Sequence, residues 1–250
     1  MIKVSDFIAK YLRENYGLNN VFMVSGGGAM HFNASFGKYF NYICNHHEQA
    51  CAIAAEGYAR VNQVLAVVNV TTGPGGLNCL NGVFGQWTDS VPVLYISGQV
   101  KYSTTIASCP DLKLRQLGDQ EVDIISCIKP LTKYAKMVTD PTEIQYHIDK
   151  AVYLATHGRK GPVWLDIPMN VQAALIDETK LKKYDFNEDK IQFKDYSEKL
   201  EILKKLLESS ERPLIVAGHG IRLSGAKDKI NPLIEKFKIP VVTTMNGFDL

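Results

Sequence analysis

A chain of 250 residues with 46% hydrophobic and 22% charged residues has an ordinary globular composition, with length for one large or two ordinary domains. Its formal net charge of +2 gives no electrostatic case for nucleic acid or an anionic membrane as partner. No run approaches the roughly 18 apolar residues of a membrane span, and residues 1–6 lack the apolar core of a secretory signal. The five cysteines (Cys44, Cys51, Cys79, Cys109, Cys127) form no C-x-x-C pair, which points to reduced thiols in the cytoplasm rather than a disulfide framework or a zinc site.

Val4, Phe7, Ile8, Tyr11 and Leu12 recur at helical spacing, with Ser5 as the candidate cap. Val21-Phe22-Met23-Val24 reads as a buried strand that feeds the glycine loop Ser25-Gly26-Gly27-Gly28, and Tyr42-Ile43-Cys44 as a second strand. An alanine-rich helix begins at Glu48. Residues 64–70 form a β-branched strand that stops at Thr71-Thr72-Gly73-Pro74-Gly75-Gly76, and a helix follows through Leu77, Leu80 and Val83. Residues 91–96 are another buried strand, and 99–120 a polar, irregular loop. Asp140-Pro141-Thr142-Glu143 offers a cap, a first-turn proline and a third-position glutamate, opening a helix to about Thr156. Residues 162–167 close the series as a strand.

Apolar strands alternating with amphipathic helices predict an α/β fold: a parallel sheet flanked by helices on both faces, over residues 1–175. Lys, Asp and Glu dominate 176–197, which reads as a linker. A second, Rossmann-like α/β domain begins at 198. It has helices near 200–206 and 227–237 and strands at 213–217 and 240–244, with Gly218-His219-Gly220 after the first strand. Two strands and two helices leave that domain unfinished.

Three loops fall at the C-terminal ends of parallel strands, the edge where open α/β sheets bind ligands. They are Ser25–Gly28, His46-His47-Glu48-Gln49 and Thr72–Gly76. Each reads equally as a plain turn, and Glu48 as a first-turn acid favoured by the helix dipole. His46 and His47 are neighbours on extended chain, so their side chains point to opposite sides and do not share an ion. No metal ligand set is expected in this chain.

Together these segments say more. His47-Glu48-Gln49-Ala50 with Ala54-Ala55-Glu56-Gly57-Tyr58-Ala59-Arg60, Thr72-Gly73-Pro74-Gly75 with Asn78, 89–99 (DSVPVLYISGQ), Gln120-Glu121-Val122-Asp123 and 161–168 (GPVWLDIP) occur in a fixed order. They resemble the blocks of thiamine-diphosphate (ThDP) enzymes of the acetolactate synthase group, over residues 1 to about 172. The second unit is similar to the start of that family's central domain.

The resemblance implies a pyrimidine-binding domain in which Glu48 hydrogen-bonds the aminopyrimidine N1′ and so governs removal of the thiazolium C2 proton. It places Ser25, Gly26, Pro74 and Asn78 near the pyrimidine and turns Gln120 toward the reacting 2-oxo acid. It implies decarboxylation of a 2-oxo acid, pyruvate foremost, with transfer of the acyl anion equivalent to a carbonyl acceptor. It also implies a homodimer or tetramer whose active sites are shared between subunits. The family holds the diphosphate and Mg²⁺ through a G-D-G…N motif, which this sequence lacks. The expectation is therefore a longer polypeptide, or a second one, that supplies the Mg²⁺ domain. FAD in the central domain is left open.

Two departures bear on substrate. Val24-Ser25-Gly26-Gly27-Gly28 stands where the group reads Y-P-G-G-A, and Asp119 stands where an aromatic residue precedes the glutamine. A more polar pocket brings in an activated keto-sugar as acceptor. A simple 2-oxo acid decarboxylase and a non-catalytic ThDP-fold module remain alternatives.

Overall fold

The computed structural model describes residues 1–190 and 195–250, which divide into two compact units, Met1–Lys190 and Ile191–Leu250. In chain order the first unit contains β1 (Ile2–Lys3), α1 (Val4–Tyr16), β2 (Asn20–Met23), α2 (Met30–Tyr39), β3 (Asn41–Cys44), α3 (Glu48–Asn62) and β4 (Ala66–Val70). It continues with α4 (Pro74–Leu77), α5 (Leu80–Asp89), β5 (Val93–Gln99), α6 (Ile124–Ile128), β6 (Tyr134–Met137), α7 (Ile144–Thr156), β7 (Val163–Pro168), α8 (Met169–Ala173) and β8 (Leu175–Ile176). Strands β3-β2-β4-β5-β7-β6 form one sheet, and every neighbouring pair is parallel.

Side chains of a strand alternate between faces, so a strand buried on both sides reads as a continuous apolar run. In β5, Leu94 and Ile96 join the core under α1, α2 and α7, while Val93 and Tyr95 join the core under α3, α5 and α6. In β7, Val163, Leu165 and Ile167 go to the first core and Trp164 to the second, where it stacks on Tyr95 with centroids 4.6 Å apart. The sheet is thus covered on both faces, as the alternation of elements predicts.

Several local expectations change. Ser5 does not cap α1: Lys3 holds the cap position, and Ser5 is buried inside the helix, its Oγ hydrogen-bonded with Ser35 Oγ at 2.9 Å. Asp140 does cap, its Oδ1 accepting from Thr142 N at 2.8 Å, but it opens a 3₁₀ turn, Pro141–Glu143, that leads into α7. Glu143 pairs with Lys182 at 2.7 Å instead of reaching back to the cap. The edge strand β6 is an addition, and so is the small antiparallel pair β1–β8, which joins Ile2 to Ile176.

The charged stretch from 176 is not uniform. Leu181 and Tyr184 are buried in the first unit, and Lys150 pairs with Asp189 at 2.9 Å. The 191–194 part of the expected linker lies outside the described residues. The second unit holds α9 (Ser197–Ser209), β9 (Ile215–Ala217), α10 (Gly220–Leu223), α11 (Lys227–Phe237) and β10 (Val241–Thr243), with β9 and β10 parallel. Among the described residues no helix is long and apolar enough to cross a membrane.

Candidate functional site

The C-terminal ends of β2, β4 and β5 bring the glycine loops together. Gly28 N donates to Thr71 Oγ1 at 3.0 Å, and Thr72 Oγ1 donates to the Gly98 carbonyl at 3.0 Å. These contacts leave no room for side chains: a Cβ at Gly26 would lie 2.5 Å from Thr71, and one at Gly98 would lie 2.0 Å from the Gly28 carbonyl oxygen. Glycine here serves close backbone approach. Asn33 Nδ2 donates to the Gly26 carbonyl at 3.2 Å while Asn33 Oδ1 accepts from Asn69 Nδ2 at 3.1 Å, so a polar relay from β4 fixes the first loop.

Glu48 is the first residue of α3. His47 caps the helix, its extended backbone (φ −156, ψ 145) turning Nδ1 to accept from Gln49 N at 3.2 Å. The histidine is thereby a helix cap. Glu48 is half-buried, and its Oε2 accepts from Asn78 Nδ2 at 2.9 Å. Among the described residues no protein donor reaches Oε1, which lies 3.4 Å from where a Cβ on Gly75 would stand. Cys79, its thiol pushed well up by burial, stays protonated and points at the Glu48 carbonyl at 3.6 Å.

Of the residues singled out in the sequence, Glu48 and Asn78 meet directly, and Gly26 packs on Thr71 at the same cleft. Pro74 starts α4 and is exposed; Ser25 is exposed at the mouth of the first loop. Gln120 is exposed and left-handed (φ 57), and its carbonyl oxygen rests against Gly73, where a Cβ would come within 2.0 Å. Gly73 also has positive φ (61), which only glycine adopts freely. The Gln120 loop therefore lies on the Gly73–Gly75 turn.

Sequence reasoning missed the residues that hold these loops. Glu121 takes Ile106 N at 2.6 Å on one oxygen, and Leu117 N and Gly118 N, both at 3.1 Å, on the other. Thr71, Asn33 and Asn69 are likewise unremarkable as letters. Glu121 lies within a matching block and Thr71 next to one, whereas Asn33 lies in none. The turn Gly218-His219-Gly220 joins β9 to the single-turn helix α10.

Residues 2–126 match the N-terminal TPP binding domain of thiamine pyrophosphate enzymes, and residues 200–250 match their central domain. Over 98% of its length the chain is 35% identical to a Methanocaldococcus jannaschii protein named "Probable acetolactate synthase large subunit", covering 41% of that protein. It is 32% identical to the acetolactate synthase large subunit of Lactococcus lactis (97% of this chain, 41% of the relative) and to acetolactate synthase 1, chloroplastic, of Oryza sativa (98% and 37%). The chain thus spans about two fifths of the length of these relatives. A solved structure described as a thiamin diphosphate-dependent enzyme from Mycobacterium smegmatis shares the fold, with a TM-score of 0.78 at 20% identity over 98% of this chain and 45% of that one. From these matches and the paired glycine loops, the chain belongs to the thiamine pyrophosphate enzyme family.

Proposed function

We propose that this chain supplies the pyrimidine side of a ThDP-dependent, acetolactate synthase-like enzyme. That enzyme decarboxylates a 2-oxo acid, pyruvate foremost, and passes the acyl unit to a carbonyl acceptor. The observation that carries the reading is the Glu48 carboxyl at the foot of the glycine cleft, with one oxygen held by Asn78 and the other, among the described residues, without a protein donor.

The residues fit the cofactor. Gly26 and Gly75 let the two loops close on Thr71, so that bare backbone stands beside Glu48, and among the described residues no protein donor takes Glu48 Oε1. When bound, ThDP supplies an acidic ring carbon and a sink for the electrons released as CO₂ departs. Asn78 fixes the Glu48 carboxyl plane through Oε2, leaving Oε1 to hold and share a proton with a ring nitrogen. The backbone at Gly73 to Gly75, with Ser25, Gly26 and Pro74, would border the ring. The Gln120 amide, on the loop that rests on Gly73, donates to the carboxylate or keto oxygen of the 2-oxo acid. The diphosphate and Mg²⁺ are assigned to a domain outside this chain, since the family's G-D-G…N motif does not occur in it. The reaction calls for no flavin chemistry.

A homodimer or tetramer with shared sites is part of the proposal. Tyr42 and Ile43 on β3, Ile53 on α3, and Phe84 and Trp87 on α5 are exposed apolar side chains beside the Glu48 helix. Five free thiols suit a cytoplasmic setting.

The test is Glu48→Gln in the complete enzyme, read as exchange of the ThDP C2 proton by NMR. Near-normal exchange sinks the assigned role. A second reading, an activated keto-sugar as acceptor, draws on Asp119, which is exposed beside Gln120. Asp119→Phe then shifts the acceptor profile toward apolar carbonyls; an unchanged profile removes that reading.

A further inference from the structure

Behind the Gln120 loop lies a chain of buried side chains that the mechanism above does not use. Ser97, Gln99, Trp164 and Asp166 point to the same face of the sheet on the neighbouring strands β5 and β7, with Ser97 opposite Asp166 in register. Trp164 Nε1 donates to Ser97 Oγ at 2.7 Å, so the single hydroxyl proton of Ser97 goes to Asp166 Oδ1, at 2.6 Å. Gln99 Nε2 donates to Asp166 Oδ2 and to the Val122 carbonyl, both at 3.1 Å. Gln99 Oε1 accepts from Val100 N at 3.0 Å, which fixes the sense of the amide.

With Asp166 ionised, every polarity in this chain is therefore determined. It runs from an indole, through a fully buried carboxylate, to a loop carbonyl two residues past Gln120. A buried carboxylate is costly to desolvate, and a sheet core of valine and leucine would avoid that cost. Holding Gln99 in one orientation accounts for its presence. On the outer side, the Glu121 carboxylate ties three backbone N–H groups of the same loop. Between these anchors Gln120 keeps a left-handed backbone against Gly73, a conformation that persists where its flanks are fixed.

We propose that Gln99, oriented by Asp166, is a positioning residue for Gln120: it holds the 118–123 loop on the Gly73–Gly75 turn and so presents the Gln120 amide to the 2-oxo acid. This rests on the reading of Gln120 given under the proposed function.

Gln99→Met keeps the volume and removes the donor. In the complete enzyme, amide exchange across residues 117–124 then speeds up by roughly five- to tenfold, the worth of one hydrogen bond, while exchange across 71–78 is unchanged. kcat/KM for pyruvate falls by a similar factor with ThDP affinity unchanged. In a Gln120→Ala background Gln99→Met adds no further loss, because the two residues act in series. Unchanged exchange at 117–124, or losses that add, overturn the role of Gln99 while leaving that of Gln120 intact. Faster exchange with no kinetic effect of Gln120→Ala overturns the substrate role of Gln120, and the positioning role with it.

Discussion

Under α1, α2 and α7 the central sheet is covered by large rings: Phe7, Phe32 and Phe36 are buried there, and Phe36 meets Phe40 edge-on with centroids 5.1 Å apart. Under α3 and α5 the covering residues are Cys51, Ala52, Ala55, Ala59 and Gly82. A Cβ on Gly82 would lie 2.4 Å from that of Ala52, so these helices approach almost backbone to backbone. Glu48, Asn78, Gln99 and Asp166 all belong to this second face. Bulky aromatic packing supplies apolar burial in quantity. Small residues allow the close approach that brings a carboxyl, an amide and glycine backbone to one cleft. The two faces divide stability from chemistry.

Four measurements break or sharpen that division. The largest effect is expected from Glu48→Gln, which slows cofactor C2 proton exchange by about 10²–10⁴-fold while leaving the melting temperature near that of the parent. A collapse of the melting temperature would show that Glu48 serves the fold. Phe36→Ala does the converse, costing about 3–5 kcal/mol in urea unfolding with exchange per folded molecule unchanged. Gly82→Val tests where the faces couple: forcing α3 from α5 costs about 1–3 kcal/mol and, unlike Phe36→Ala, also weakens ThDP binding, measured by calorimetry.

The fourth measurement concerns pH. Burial raises the Asp166 carboxyl to about 7, against the lowering influence of Ser97 and Gln99. The folded chain thus keeps a proton that the unfolded chain releases near its ordinary value of 3.8, so the stability from this group is full below that value and is lost as pH rises through about 7. Urea midpoints across this window decline with pH in the parent and are flatter in Asp166→Asn. Equal slopes would remove Asp166 as the titrating group.

Much of the local architecture is legible in the residues. The apolar run before Ser25, the alanine-rich helix after Glu48 and the Asp140-Pro141 cap are all short-range signals, and each marks an element boundary. Glu48 and Asn78 emerge as a pair because both fall in family-like blocks; their contact, 30 positions apart, appears only in the fold. The rest depends on longer reach. β6 is a four-residue edge strand carrying a lysine, too short to stand out by pattern. Ser97 and Asp166 meet across 69 positions, and nothing near either residue names its partner. Leu181 and Tyr184 are apolar anchors set among charges, so composition alone hides their attachment to the first unit.

The pairing of Ile2 with Ile176 sets a timetable for biosynthesis. The first strand of this unit to leave the ribosome waits for one of the last, which at about 5–20 residues per second means roughly 10–35 seconds of idle edge. Through that interval α1 must dock without its tether, leaving the young chain open to chaperones and proteases. Truncations before Leu175 make that exposure permanent.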